Sequence, residues 1–458
     1  MLHQRRSLSM AGLPALFLTI VWTATAAAAV DVDVGGIHVS VGERSAPIPV
    51  DIPLAQMEIL TRGPVHEAFA QPVVFTEAST YTISQRPPSP LEESVPNEKP
   101  GGDNIVWIPG YWSWDTDRSD FIWVSGCWRA IPPNTGWVPG YWAEIRNGYQ
   151  WTAGFWTTAD VREIEYLPEP PANIDEVPLR GDFPDSIWIP GCWIRQGGRY
   201  LWRPGFWERA RSDWVWVPSQ YVATPRGWIF VQGYWDYPLE RRGVAFLPVY
   251  CPPSLYGQRN FRYAPQMVLD LGVLTLSLFS SPQRHHYYFG DYYSPEYSRG
   301  GFHPWYEARD NHTWYDPIFM HQQWTHRDDR RWGDNQRTEY EHRRDNKDSR
   351  PPRTYDSMRE RVSRLPEKER GRAQMARPMN DAGREKTTPF TFGSLDAKTI
   401  EATARRAIDA QEYRNTLLST CIQHMLDPAN NTPAVSMQLQ LNLSAQAHSP
   451  TGTSRCAV

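Results

Sequence analysis

The chain has 458 residues, with 47 Lys and Arg against 51 Asp and Glu and a formal net charge of −4. That length allows two or three domains, and the charge argues against a general nucleic-acid binder, which needs a broadly basic surface to neutralise phosphates. The pairing of 41 Pro with 22 Trp points instead to short strands, many turns and aromatic packing.

At the N-terminus, Arg5 and Arg6 precede an apolar run from Ala11 to Trp22 and a small-residue stretch, Ala24–Ala29. This order predicts a signal peptide over 1–29, cut after Ala29. The apolar run is short of the ~20 residues of a membrane span, so the mature protein is expected to be exported, to the periplasm, cell envelope or extracellular space. No transmembrane helix is expected once the signal is removed. Residues 30–104 read as an extended N-terminal segment and a Pro-rich linker. Within them 30–41 (VDVDVGGIHVSV) alternates like one edge strand, and 83–104 is rich in Pro and charge.

Next come eight hexapeptides, starting at 107 (WIPGYW), 123 (WVSGCW), 137 (WVPGYW), 151 (WTAGFW), 188 (WIPGCW), 202 (WRPGFW), 216 (WVPSQY) and 230 (FVQGYW). The spacing of 14 to 16 residues is interrupted once, by 37, which gives two blocks of four, 105–172 and 188–253, joined by a linker at 173–187. Tyr166-Leu167-Pro168 closes the first block and Phe246-Leu247-Pro248 the second, so the larger unit is itself duplicated. Aromatics two apart, as at Phe121 and Trp123 or Tyr200 and Trp202, share one face of a strand. Pro-Gly recurring at this interval excludes a helix. It suits a type II turn, with Gly110 and its equivalents at positive φ, or else a bulged corner.

The predicted fold is mostly β: two blocks of four short Trp-rich β-repeats (antiparallel meanders), with a C-terminal helix and disordered segments. The structural residues of the repeat are Trp107, Gly110, Trp112, Trp123, Trp128, Trp137, Trp142, Trp151, Trp156, Trp188, Trp193, Trp202 and Trp207. The first and last aromatic of each motif are expected to meet across its corner, where a pair adds ~0.5–1.5 kcal/mol beyond burial. The same alternating face could present aromatics to a ligand, and the candidates are Tyr111, Tyr141, Phe155, Phe206 and Tyr234. Cys127 and Cys192 share one slot of the repeat and read as small hydrophobes rather than as a bridge. With Cys251, Cys421 and Cys456 they make an odd count, so at least one thiol of a monomer stays unpaired.

Residues 254–320 form a Tyr/His-rich segment in which Val268–Phe279 reads as a buried strand or two. Residues 321–393 read as a charged, largely disordered arm, with 16 Lys/Arg against 11 Asp/Glu over 324–380. Its positive excess could meet an anionic polymer or membrane surface. Ile400, Ala404, Ala407, Ile408, Leu418, Ile422 and Met425 recur at helical spacing, which predicts an amphipathic helix within 394–427 ended by Pro428. Residues 428–458 read as a disordered tail.

No pattern carries catalytic chemistry. His66-Glu67 begins like a zincin helix, but Ala70 stands where the second His is needed. His285, His286, Asp291 and His303 are metal-ligating types at a spacing that matches no tight motif. There is no nucleophile elbow, phosphate-cradling glycine loop or CxxC. The protein is therefore expected not to be an enzyme and to need no cofactor or metal.

WIPGYW, WVPGYW and Tyr149-Gln-Trp-Thr-Ala-Gly-Phe-Trp156 resemble the YXWGXW (WXXGXW) repeat proteins, exported bacterial proteins frequent in planctomycetes. The resemblance covers 105–235, and Leu60-Thr-Arg-Gly-Pro-Val-His-Glu-Ala-Phe69 and the aromatic region 285–320 look like accompanying parts of planctomycete members. It implies an envelope location and no particular reaction. Two functions follow as expectations. One is an exported structural or interaction protein of the cell envelope. The other is a glycan- or cell-wall-binding module using exposed repeat aromatics. The expected partners are envelope polysaccharide or other envelope proteins, not nucleic acid.

Overall fold

A computed structural model describes residues 56–75, 81–161, 164–174, 185–310, 314–383 and 389–426. The predicted signal peptide, the strand over 30–41 and the tail 428–458 lie outside them. The described chain is mostly β, and its strand ladders are antiparallel.

The hexapeptides fold in pairs rather than singly. In the first pair, strand Ile105–Ile108 runs into Tyr111–Asp115, turns back through 116–119 into Asp120–Val124, and continues as Cys127–Ala130. The inner two strands pair with each other and the outer two pair with each other. Each unit is thus one long hairpin whose two arms are both broken at the motif glycine. The same nesting recurs in the unit of the 137 and 151 motifs, that of 188 and 202, and that of 216 and 230.

This pairing overturns the corner expected inside each motif. Trp107 stands opposite Trp128 of the following motif and Trp112 opposite Trp123, with ring centroids 5.3 and 5.2 Å apart in edge-to-face geometry. Trp142 meets Trp151, Trp188 meets Trp207, and Trp193 meets Trp202 in the same way, and Trp137 meets Trp156 with tilted rings. In the degenerate fourth unit Trp216 meets Trp235, and Tyr221 meets Phe230 where the others have Trp on Trp. Cross-strand aromatic pairs of this kind stabilise a sheet locally, so two per unit hold a hairpin too short to bury a core alone.

The motif glycine is also not a turn residue. Gly110, Gly126, Gly140 and Gly154 have no positive φ. They are needed because the two broken arms approach too closely for a side chain. A Cβ on Gly110 would lie 2.3 Å from the Val124 carbonyl oxygen, and one on Gly126 would lie 2.5 Å from Trp107 Cζ2. Positive φ occurs in the hairpin tips instead, as at Gly197 and Gly198.

The terminators close the two blocks on each other. Gly243–Ala245 adds to the outer strand Cys127–Ala130 of the first unit, and Val249 stands opposite Trp123. Leu167 of the first terminator bridges Trp228 of the fourth unit. Between the blocks, Asp236 accepts two hydrogen bonds from Arg129, at 2.6 and 2.7 Å, with Arg242 3.1 Å away. All three are buried. A buried carboxylate between two guanidinium groups is tolerated because its charge is compensated.

Several segments differ from the reading of the sequence because arginine and proline are used here for packing. Residues 60–70 are continuously buried, and Leu91, Glu93 and Val95 of the expected linker point inward. The expected disordered arm, 321–393, takes in the end of helix Pro317–Thr325 and the helices Trp332–Asp345, Tyr355–Arg364 and Glu367–Ala373. Arg343 reaches the Leu276 carbonyl at 2.7 Å, Arg353 reaches Asp291 at 2.9 Å, and Met358 enters the main core. Val268–Phe279 gives two strands, Met267–Leu269 and Leu278–Ser281, split by a helical turn.

The C-terminal helix forms over Ala397–Leu426, as its periodicity predicts. Its inward face carries Ala407, Ala410 and Arg414, whereas Ile408 points to solvent. The side chains of Leu418, Ile422 and Met425, and Pro428 itself, lie outside the described residues. No helix among the described residues is long and apolar enough to cross a membrane.

Candidate functional site

Where the two arms of a unit break, the N–H groups of the two motif glycines turn to a side-chain acceptor. In the first unit a single carboxylate takes them. Glu93 accepts from Gly110 N at 2.8 Å, Gly126 N at 2.9 Å and Trp123 Nε1 at 3.1 Å. In the second unit Glu67 does the same, accepting from Gly140 N at 3.0 Å, Gly154 N at 3.1 Å and Trp151 Nε1 at 3.2 Å. The geometry is repeated position for position, although the two acids come from different stretches upstream. In the fourth unit Ser219 replaces the first glycine, and its own Oγ accepts from Gly233 N at 2.9 Å. The degenerate motif therefore supplies its own acceptor.

Glu67 is buried and Glu93 half-buried, and desolvation pushes each up to about 7, opposed by the three donors and by Arg414. Arg414 arrives from the C-terminal helix, is itself buried, and donates from Nη1 to the Gly110 carbonyl at 3.1 Å. Burial lowers its pKa, and Glu67, Tyr111 and Glu93 raise it. The two repeat centres of the first block thus share one guanidinium.

A second buried polar group adjoins Glu67. Tyr111 Oη lies 2.7 Å from His286 Nε2, and His286 Nδ1 lies 2.5 Å from the Arg284 carbonyl. The carbonyl can only accept, so Nδ1 carries the proton and Nε2 accepts from the phenol. His66 takes the opposite tautomer, with Nδ1 accepting from Ala68 N and Nε2 donating to the Pro109 carbonyl. Burial lowers His66 to about 3 and His286 to about 4, so both rings are neutral. His66 on the Pro109 carbonyl and Glu67 N on the Tyr111 hydroxyl fix the segment 60–70 against the first unit, while the Glu67 carboxylate holds it to the second.

The five candidate ligand aromatics separate. Tyr111 and Tyr141 line one cavity between the first and second units. Tyr111 is buried and stacks on Trp151 at 4.9 Å. Phe155 packs with Tyr141 in the core behind that cavity. Phe206 and Tyr234, in the second block, are half-buried and outside it. Of the motif tryptophans, those of the first block are buried except Trp142, which is half-buried, and those of the second block are half-buried. None is fully exposed.

His285, His286, Asp291 and His303 are not brought together: Asp291 pairs with Arg353 and His303 with Glu307. Among the described residues no group of three or more His, Cys, Asp or Glu could hold a metal ion. Cys127, Cys192 and Cys251 are buried and are not bridged to one another.

The WXXGXW repeat (2 copies) family matches residues 102–129, 187–208 and 200–220. This chain carries WXXGXW repeats. The match falls on the first and third units and the start of the fourth, and the structure adds the second, whose strand pairing and carboxylate are the same. No curated protein and no solved structure matches the chain.

Sequence reasoning missed the two acids and the arginine on which the WXXGXW units close. In sequence Glu67 belongs to an incomplete metalloprotease pattern and to the Leu60–Phe69 stretch, and Glu93 to a stretch that reads as linker. They act 73 and 17 residues upstream of their first glycines, and Arg414 acts 304 residues downstream of Gly110. No local pattern marks such distant partners. The signal available is the glycine itself, present in seven of the eight motifs, where backbone donors must find an acceptor.

Proposed function

We propose that this protein is an exported, non-enzymatic structural or interaction protein of the bacterial cell envelope, of planctomycete type, with the WXXGXW units as its scaffold. The observation that carries the scaffold reading is burial. Trp123 and Trp128 are 0% and 1% exposed, and the indoles of the first block face each other or a carboxylate. Rings placed so are used for stability, and large aromatics suit small units that have little other core. Export is supported by the charged, apolar and small-residue order of residues 1–29. The likeness of the repeats to those of exported bacterial proteins supports the envelope.

Cell fractionation of the tagged full-length chain tests this reading. The processed protein is expected in the envelope fraction, released by detergent or salt. A freely soluble monomer in the cytoplasm, with residues 1–29 retained, would overturn it.

A further inference from the structure

The cavity between the first two units has a volume of about 300 Å³, at the lower end of small-ligand pockets. One wall is the hairpin of strands Tyr141–Ile145 and Gly148–Thr152. Its register sets Trp142 opposite Trp151 and Glu144 opposite Tyr149, so all four side chains share one face. Trp142 and Tyr149 are half-buried and Glu144 is exposed. Arg86, the prolines that follow it and Arg414 complete the lining.

The hydrogen bonds already made on these walls decide what could bind. Every indole N–H lining the cavity is taken: Trp112 by the Ser89 carbonyl at 2.9 Å, Trp142 by the Trp112 carbonyl at 2.8 Å, and Trp123 and Trp151 by Glu93 and Glu67. A proline-rich peptide in an aromatic groove brings carbonyls that need such donors. A ligand held through ring faces does not. Arg414, only 7% exposed, has an Nε without a hydrogen-bond partner, so an acceptor is wanted on the cavity's inner side. Two acids, Glu67 and Glu93, already flank Arg414 and repel a further anion once ionised, so an uncharged oxygen is the acceptor that fits in either protonation state.

We propose that this cavity is a binding site for a neutral saccharide. A sugar ring packs its C–H face on Trp142 and Tyr149, and its hydroxyls meet Glu144 and Arg86 at the rim. A carbonyl or hydroxyl oxygen accepts from Arg414 Nε. The site does not depend on the envelope reading, since fractionation and sugar binding are separate measurements.

The test is titration of the purified full chain with short oligomers of β-linked N-acetylglucosamine, β-linked glucose and α-linked glucose, read by tryptophan fluorescence and calorimetry. An oligoproline peptide is run in parallel. The expected result is saturable binding of at least one sugar series, weakened roughly tenfold by Tyr149→Ala and by Glu144→Gln in proteins whose unfolding temperature is unchanged. Trp142→Ala should abolish it. Should that variant unfold, because its indole bonds Trp112, Tyr149→Ala and Glu144→Gln carry the test. Absence of saturable binding for all three series overturns the proposal. So does binding indifferent to Tyr149→Ala, or binding of the oligoproline alone.

Discussion

Replacing Glu93 by Gln changes one atom and tests whether a carboxylate closes the repeat unit. Glu93 receives three buried donors, from Gly110 N, Gly126 N and Trp123 Nε1. Gln keeps one acceptor oxygen. If that oxygen serves Gly126 and Trp123, the new amide nitrogen faces the Gly110 N–H, donor against donor. Two buried donors are then left without acceptors, at about 1–3 kcal/mol each. The relief of burying no charge offsets part of this, so the expected net loss is about 2–4 kcal/mol.

The pH dependence gives a second, independent reading. Burial raises Glu93 from its ordinary 4.5 to about 7, so between those values the folded state holds the proton that the unfolded state has released. The stability this group contributes is fully present below pH 4.5 and is lost as pH rises through 7. Gln does not titrate. The gap between wild type and Glu93→Gln should therefore be wider at pH 5 than at pH 8. Urea unfolding followed by tryptophan fluorescence at the two pH values measures it, as a shift in midpoint at constant slope. A variant within about 0.5 kcal/mol of wild type at both pH values, or a gap that does not change with pH, would refute the reasoning.

Gly140→Ala should cost about 1–3 kcal/mol or more, because its Cβ would meet Glu67 Oε1 at 2.5 Å and the Gly154 nitrogen at 2.7 Å. Gly136→Ala, four residues away with nothing within 4 Å of the added carbon, should be near neutral in the same thermal unfolding assay. Equal effects would show that close approach is not what the motif glycine is for. Asp236→Asn leaves Arg129 and Arg242 buried together without their counter-charge, and should destabilise the protein by about 3–5 kcal/mol. A loss below about 1 kcal/mol in chemical denaturation would mean that the two blocks are not tied there.

Much of this protein can be read from its sequence because its repeat is a local object. The mostly β fold, the two blocks of motifs, the duplicated terminators and the helix over Ala397–Leu426 follow from aromatic alternation, recurrent Pro-Gly and helical spacing. Those signals act within a few residues, and side-chain periodicity reports which face of an element is apolar.

What the sequence could not decide is which strands pair. Trp107 and Trp112 are five residues apart and look like partners, but a strand break at Gly110 sends each to the following motif, where Trp128 and Trp123 wait in register. The same holds for the closing groups. The repeat glycines require an acceptor for their N–H groups, yet nothing near them in sequence says that it is Glu67, Glu93 or the hydroxyl of Ser219. Tertiary structure made that choice, because a carboxylate can be buried only where enough donors converge on it, and those donors exist only once the two arms of the hairpin have met.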